Sequence, residues 1–278
     1  MKKYVLFIAG ILVVCLQACD IIEPPYSETV IGPQPGDTLV RKVLLEDYTG
    51  HKCPNCPAAA KIADTLSNYI YKDRVVVVGL HVSTSFASPS PGLFSNDYRT
   101  TAGTDLDNFF QISLSGLPKG MVNRKGFPSQ QHKISPTAWA SEVALNLQQP
   151  VEANIEITNT YNAASNELTT QLQSKFLTDK SGTYFLNVMY VEDSVISAQL
   201  YPNNKIDTFY VHKHLFRGMI NGTWGEQIAV DPQQDFISNK TYTVTLRTDV
   251  KPEKCKVIAF IYNDATKEVI QAEETHLQ

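Results

Sequence analysis

Hydrophobic positions along the chain follow two rhythms, and the change falls near residue 148. In the first part, Val43-Leu44-Leu45 and Val75 to Leu80 are unbroken apolar runs bounded by turn residues, the pattern of strands covered on both faces. Between them Ala59, Ile62, Ala63, Leu66 and Ile70 recur at spacings of three and four. The pattern predicts a strand over 39–45, a helix from about Pro54 to Tyr71, and a parallel strand over 74–82 reached by a right-handed crossover. Residues 83–103, rich in Ser, Thr, Pro and Gly, read as an irregular insertion, and Asp105 to Ile112 as a short helix. Gly116-Leu117-Pro118 is a turn before a short strand, and Arg124-Lys125-Gly126 a tight hairpin. Ser135-Pro136 starts a further helix, on which Trp139, Val143 and Leu147 recur every four residues.

After Pro150 the period becomes two. Val151-Ala153-Ile155-Ile157, Leu168-Thr170-Leu172, Tyr184-Leu186-Val188-Tyr190, Tyr242-Val244-Leu246 and Val257-Ala259-Ile261 alternate with more polar neighbours, and clusters of Asn, Asp, Gly and Pro separate them. The organisation this predicts is an α/β domain over 39–148 followed by an all-β antiparallel sandwich domain over 149–278.

The N-terminus changes the picture of where this fold works. Lys2-Lys3 precedes an apolar run, Tyr4 to Leu16, that is short for a membrane span, and Leu16-Gln17-Ala18-Cys19 then reads as the cleavage site of a bacterial lipoprotein signal. Residues 1–18 are therefore expected to be removed, leaving Cys19 as a lipidated first residue whose acyl chains each contribute about 0.8 kcal/mol per buried methylene. Residues 19–38, with Pro24-Pro25, Gly32-Pro33 and Pro35-Gly36, read as an extended tether. The formal charge of −4, with no Lys/Arg cluster, argues against a nucleic-acid partner.

Cysteine usage supplies the candidate chemistry. Of five cysteines, Cys15 goes with the signal and Cys19 carries lipid, which leaves Cys53, Cys56 and Cys255. Cys53-Pro54-Asn55-Cys56 stands between a strand and a helix, where unpaired backbone N–H groups and the positive end of the helix dipole favour thiolate over thiol. Cys53 reads as the nucleophile and Cys56, one turn inside the helix, as the resolving thiol; in an oxidising compartment the pair rests as a disulfide. A metal site would need further ligands beside His51, and a covalent haem is excluded because Pro57 follows Cys56, so no metal or cofactor is expected. His212 and His214, at i and i+2 on a predicted strand, share a solvated face, Cys255 reads as a small hydrophobe, and Trp224 is either a ligand contact or a cover for one end of the sandwich.

Residues 39–148 resemble a thioredoxin-like domain, through the strand before the motif, the Cys-x-x-Cys, the helix and parallel strand after it, and Gly116-Leu117-Pro118. The resemblance implies a cis bond before Pro118, Leu117 backbone groups that hold a substrate strand beside Cys53, and a buried acid, Asp47 or Glu46, that moves protons. Beyond the tether, nearly the whole chain also resembles a family of Gram-negative outer-membrane lipoproteins named after a 28-kDa outer-membrane protein. The residues that carry this are Leu45-Glu46-Asp47-Tyr48-Thr49-Gly50, Val211-His212-Lys213-His214-Leu215-Phe216-Arg217 and Asn221-Gly222-Thr223-Trp224-Gly225-Glu226. Together the resemblances imply a lipid-anchored outer-membrane protein, facing the periplasm or the surface, that exchanges thiols and disulfides with envelope or secreted proteins. The rival expectation is a redox-inert binding or adhesion lipoprotein that uses the thioredoxin-like fold as a scaffold.

Overall fold

The computed structural model describes residues 39–277; the expected signal at 1–18, the tether at 19–38 and Cys19 lie outside the described residues. Among these residues the chain is mostly β, with four α-helices. Strand β1 is Val43–Thr49, four residues longer at its end than the apolar run, and its first six residues are buried. It pairs in parallel with β2, Val75–His81, and antiparallel with β3, Lys119–Val122. Helix α1, Cys56–Thr65, continues as a π-helical stretch, Leu66–Ile70, and joins β1 to β2. The insertion is more ordered than its composition suggests: α2 is Thr84–Ala87, and α3, Thr101–Phe110, begins where Thr100 Oγ1 accepts the Gly103 N–H and so caps the helix. Helix α4 is Pro136–Leu147, with proline in its first turn.

Nine of the ten remaining strands belong to long antiparallel pairings typical of alternating sequence: β4 Ala153–Asn162, β5 Glu167–Phe176, β6 Thr183–Glu192, β7 Val195–Leu200, β8 Ile206–His212, β10 Glu226–Val230, β11 Ile237–Thr245, β12 Cys255–Asn263 and β13 Val269–His276. The tenth, β9 Leu215–Met219, pairs antiparallel with β6 and touches β2 in parallel at Gly79 and Leu215. The result is a mixed eight-stranded sheet in the order β13-β12-β6-β9-β2-β1-β3, with β10 also on β6, a three-stranded sheet β11-β5-β4, and the separate two-stranded hairpin β7-β8. The large sheet takes strands from both sides of residue 148, and the described residues fall in one compact unit. The change of period there marks where helices give way to strands, because periodicity reports which face of a strand is covered and not which sheet it joins.

Alternation on the strands assigns the two faces of the large sheet. Val43 and Leu45 of β1 pack with Ala59, Ala63 and Leu66 of the first helical segment and with Trp139 and Val143 of α4. Further along, Leu186 and Val188 of β6 and Val257, Ala259 and Ile261 of β12 face Ala153, Ile155, Leu168 and Leu172 of the three-stranded sheet, which forms the sandwich expected from the period of two. The opposite face is one continuous core: Leu44 and Tyr48 of β1, Val76 and Val78 of β2, Met189 of β6, Phe216 of β9 and Phe260 of β12, covered by Leu106 and Phe110 of α3.

Candidate functional site

Cys53 and Cys56 form a disulfide. The turn that holds it is built from backbone bonds: Cys53 N–H donates to Gly50 O and Cys56 N–H to Cys53 O. Gly50 is required by close approach, since a Cβ there would stand 2.5 Å from Phe86 O, while Lys52 N–H donates to that same carbonyl. Helix α1 begins at Cys56 itself, so Cys56 occupies the first helical position and Cys53 lies in the turn before it. That corrects the expectation of Cys56 one turn inside; proline at N1/N2 starts the helix late, and the Asn55 side chain makes no cap bond.

Both sulfur-bearing residues are buried, Cys53 at 1% and Cys56 at 2% exposure. The cover is the hairpin β7-β8. Gln199 Nε2 donates to Cys53 O at 3.1 Å and reaches Gly50 O at 3.5 Å, and Leu200 N–H donates to His51 O at 2.9 Å. An ion pair from Lys213 to Asp64 of α1, 2.7 Å, ties the far end of the hairpin to the helix.

Adjacent positions on β1 send their acids to opposite faces. Glu46 points to the continuous core, where Arg124 donates two bonds to it at 2.7 and 2.8 Å and lies over the rings of Phe260 and Phe110. Asp47 turns the other way, and its Oδ1 is buried without a hydrogen-bond partner. Desolvation lifts its pKa from 3.8 to about 8, so it is protonated at neutral pH. Asp47 lines a cavity of about 260 Å³ with Pro57, Ala60 and Asp64 of α1 and with Tyr201, Tyr210 and His214 from the hairpin and the residues after it. Register across β1 and β3 sets Lys119 opposite Tyr48, so Leu117 and Pro118, joined by a cis peptide bond, stand at the same end of the sheet as the disulfide.

The model of the family described as Outer membrane protein Omp28 matches residues 107–278, more than half of the chain. The chain belongs to the Omp28 family. Omp28 proteins are outer-membrane proteins, and that is where this one resides. The chain is also similar to a domain of the outer membrane lipoprotein Omp28 from Porphyromonas gingivalis, at 18% identity, over 47% of this chain and 91% of that one, with a TM-score of 0.33. Among curated proteins, none matches.

Within this Omp28 chain the remaining candidates are scattered. Trp224 stands away from the hairpin, edge-on to Phe109 at 4.7 Å between ring centroids, and its carbonyl accepts from Tyr262 Oη. It sits in the loop 220–225 that interrupts the run of β9 and β10 along β6, where Gly222 and Gly225 take positive φ. Cys255 is fully buried, its thiol pushed up to about 12 by burial, which suits the small hydrophobe expected. His212 and His214 do not share a solvated face: β8 ends at His212, and His214 takes a left-handed φ of 53°. Both are buried, His214 with Asp193 accepting its backbone N–H and His212 against Tyr210 and Tyr98. Alternation could not find this, because the strand breaks between the two histidines.

The same break hid a cluster that the sequence never brings together. His51 from the disulfide loop, His81 from the end of β2 and His212 from β8 pack against each other, with Tyr98 and Phe94 around them. Among the described residues no three His, Cys, Asp or Glu are grouped so as to hold a metal ion.

Proposed function

We propose that this Omp28-family protein is a lipid-anchored thiol–disulfide exchange protein of the outer membrane, in which residues 39–148 act as a thioredoxin-like module. The observation that carries the reading is a disulfide at the first position of α1 with a buried, unpartnered and protonated Asp47 on the neighbouring strand. The β3-β1-β2 arrangement with one parallel and one antiparallel pairing, and Leu117-Pro118 at the disulfide end, support the thioredoxin-like reading.

The chemistry follows from the disulfide state. A partner thiolate attacks Cys53 Sγ, the Cys53–Cys56 bond breaks, and the electron pair leaves on Cys56. Helix N-terminal amides stabilise that thiolate, and Asp47 gives it a proton. The partner's second thiolate then attacks the mixed disulfide and frees Cys53, so the partner dithiol is oxidised by two electrons and this disulfide is reduced. Asp47 regains its proton through the cavity it lines. Leu117 backbone groups would align the partner chain, and no cofactor enters.

The test is oxidation of a dithiol peptide carrying a fluorescence reporter, by the oxidised protein. Exchange that is lost in Cys53→Ser and slowed about tenfold or more in Asp47→Asn at neutral pH supports the reading. A rate no faster than that of a simple alkyl disulfide contradicts it.

Burial of both sulfurs favours a second reading, a redox-inert binding lipoprotein in which the disulfide only shapes the loop. In that case Cys53→Ser leaves partner capture by the envelope protein unchanged.

A further inference from the structure

Where the β7-β8 hairpin meets the disulfide loop, three imidazoles from three separate elements are packed together, His51 stacked on His81 and His81 edge-on to His212, with most of their ring nitrogens lacking the hydrogen bonds that buried histidines ordinarily make. Ring centroids of His51 and His81 are 6.0 Å apart and those of His81 and His212 5.5 Å. Both nitrogens of His51, both of His81 and Nε2 of His212 are buried without partners, and the remaining nitrogen of His212 bonds to the Ala198 backbone. Buried polar atoms in native structures are nearly always paired, so orphaned nitrogens at one interface call for an explanation. His212 belongs to the hairpin, while His51 and His81 belong to the body beneath it.

We infer that the β7-β8 hairpin is an acid-opened lid on the Cys53–Cys56 disulfide, with the three-histidine cluster as its latch. The inference rests on the exchange reading for what the lid controls. It does not depend on that reading for whether the lid moves.

The closed interface has no room for imidazolium. Positive charge on His81 and on its two imidazole neighbours would repel, and the charges around them are mixed: Lys52, Arg99 and Asp97 near His51, and Arg217 near His81. Around His212 the neighbouring groups are His51, His81, Tyr98 and the Tyr210 ring, none of them an anion. Burial, first, and the neighbouring cations hold His51 at about 4, burial and His51 hold His212 at about 4, and burial pushes His81 well below its usual value. A histidine freed by opening returns toward 6.5, so the open form binds more protons. Closure is therefore fully favoured above about pH 6.5 and is lost as pH falls from there to 4 and below. A group shifted from 6.5 to about 4 biases the equilibrium toward opening by up to about 300-fold. Leu200 N–H and the Gln199 side-chain amide, which donate to loop carbonyls, hold the lid at neutral pH and do not titrate, and the Lys213–Asp64 ion pair at its far end involves a carboxylate held below its usual 3.8, so it persists across the window in which the histidines charge.

The experiment reads access to the bond. The full-length protein in detergent is pulsed with a water-soluble phosphine at pH 7 to 4.5, trapped with N-ethylmaleimide at neutral pH, and the peptide holding Cys53 and Cys56 is quantified by mass spectrometry. Dividing the rate in urea-unfolded chain by that in folded chain gives a protection at each pH, free of the reagent's own pH dependence. The lid predicts that protection falls at least about 50-fold from pH 7 to 4.5. It also predicts that His51→Phe/His81→Phe/His212→Phe together cut the fall to less than about threefold. Hydrogen exchange on the unmutated protein gives an independent reading. Residues 195–212 should lose protection in this window while β12 keeps it. Constant protection from pH 7 to 4.5, an equal fall in the triple variant, or loss of protection in β12 alongside the hairpin would each overturn the inference. Exchange activity is read separately, so an inert disulfide under a lid that opens would remove the exchange reading and leave this one standing.

Discussion

Two adjacent acids on β1 show how much a single position can decide. Val43, Leu45 and Asp47 share one face and Leu44, Glu46 and Tyr48 the other, so strand parity sends the two acids to opposite faces, Asp47 to the disulfide side and Glu46 to the core. The sequence limited the choice to these two, and the tie broke on Arg124, whose pairing with Glu46 across β3 depends on tertiary structure. Asp47 makes a measurable prediction about stability. Its pKa is raised from 3.8 to about 8, so the folded chain binds the extra proton, and the stability from this group is full below 3.8 and lost as pH rises through 8. Between pH 4 and 7 that loss is on the order of 4 kcal/mol, and Asp47→Asn should remove it. Denaturant titrations at the two pH values check this; an equal pH slope in both proteins would contradict it. Arg124→Met leaves Glu46 buried without its partner and should cost about 3–5 kcal/mol in the same assay.

At the scale of elements, the repeating ones were legible and the covering one was not. Trp139, Val143 and Leu147 at spacings of four gave α4, and each is buried against the sheet. The alternating runs from Ala153 to Ile261 gave β4, β5, β6, β11 and β12 for the same reason, that one face of each strand is always covered. The hairpin β7-β8 obeys no such rule. Its outward residues Ile196 and Phe209 are apolar and exposed, while its inward ones include Gln199 and His212, so the usual polarity of inside and outside is inverted. A sequence reading that assigns apolar to the interior cannot place it. Gln199→Leu removes the side-chain bonds from the lid to the loop, each worth about 1 kcal/mol. Reduction of the disulfide by phosphine at pH 7 should then speed up about tenfold, with thermal stability nearly unchanged. An unaltered rate would mean that the hairpin does not limit access.

For the whole molecule, the shift of period at residue 148 separates composition but not cores. Leu44, Val76 and Val78 share one cluster with Met189, Phe216, Ile258 and Phe260, and the sheet is continuous across both stretches. Residues 39–148 expressed alone would expose that face of β1 and β2, and should fail to give a cooperative unfolding transition by circular dichroism, whereas 39–278 should give one. Two separately cooperative halves would contradict this reading of the core.

The account as a whole stands on the Cys53–Cys56 pair being an exchangeable bond, and its reduction potential tests that most directly. The oxidised protein is equilibrated at pH 7 with dithiothreitol or glutathione buffers of graded potential, and the fraction reduced is read by thiol trapping. A potential between about −120 and −270 mV, the span of known exchange catalysts, is the result predicted. A pair that stays oxidised below about −300 mV, or that is reduced only as the chain unfolds, would contradict it and leave the disulfide a structural bond beneath the hairpin.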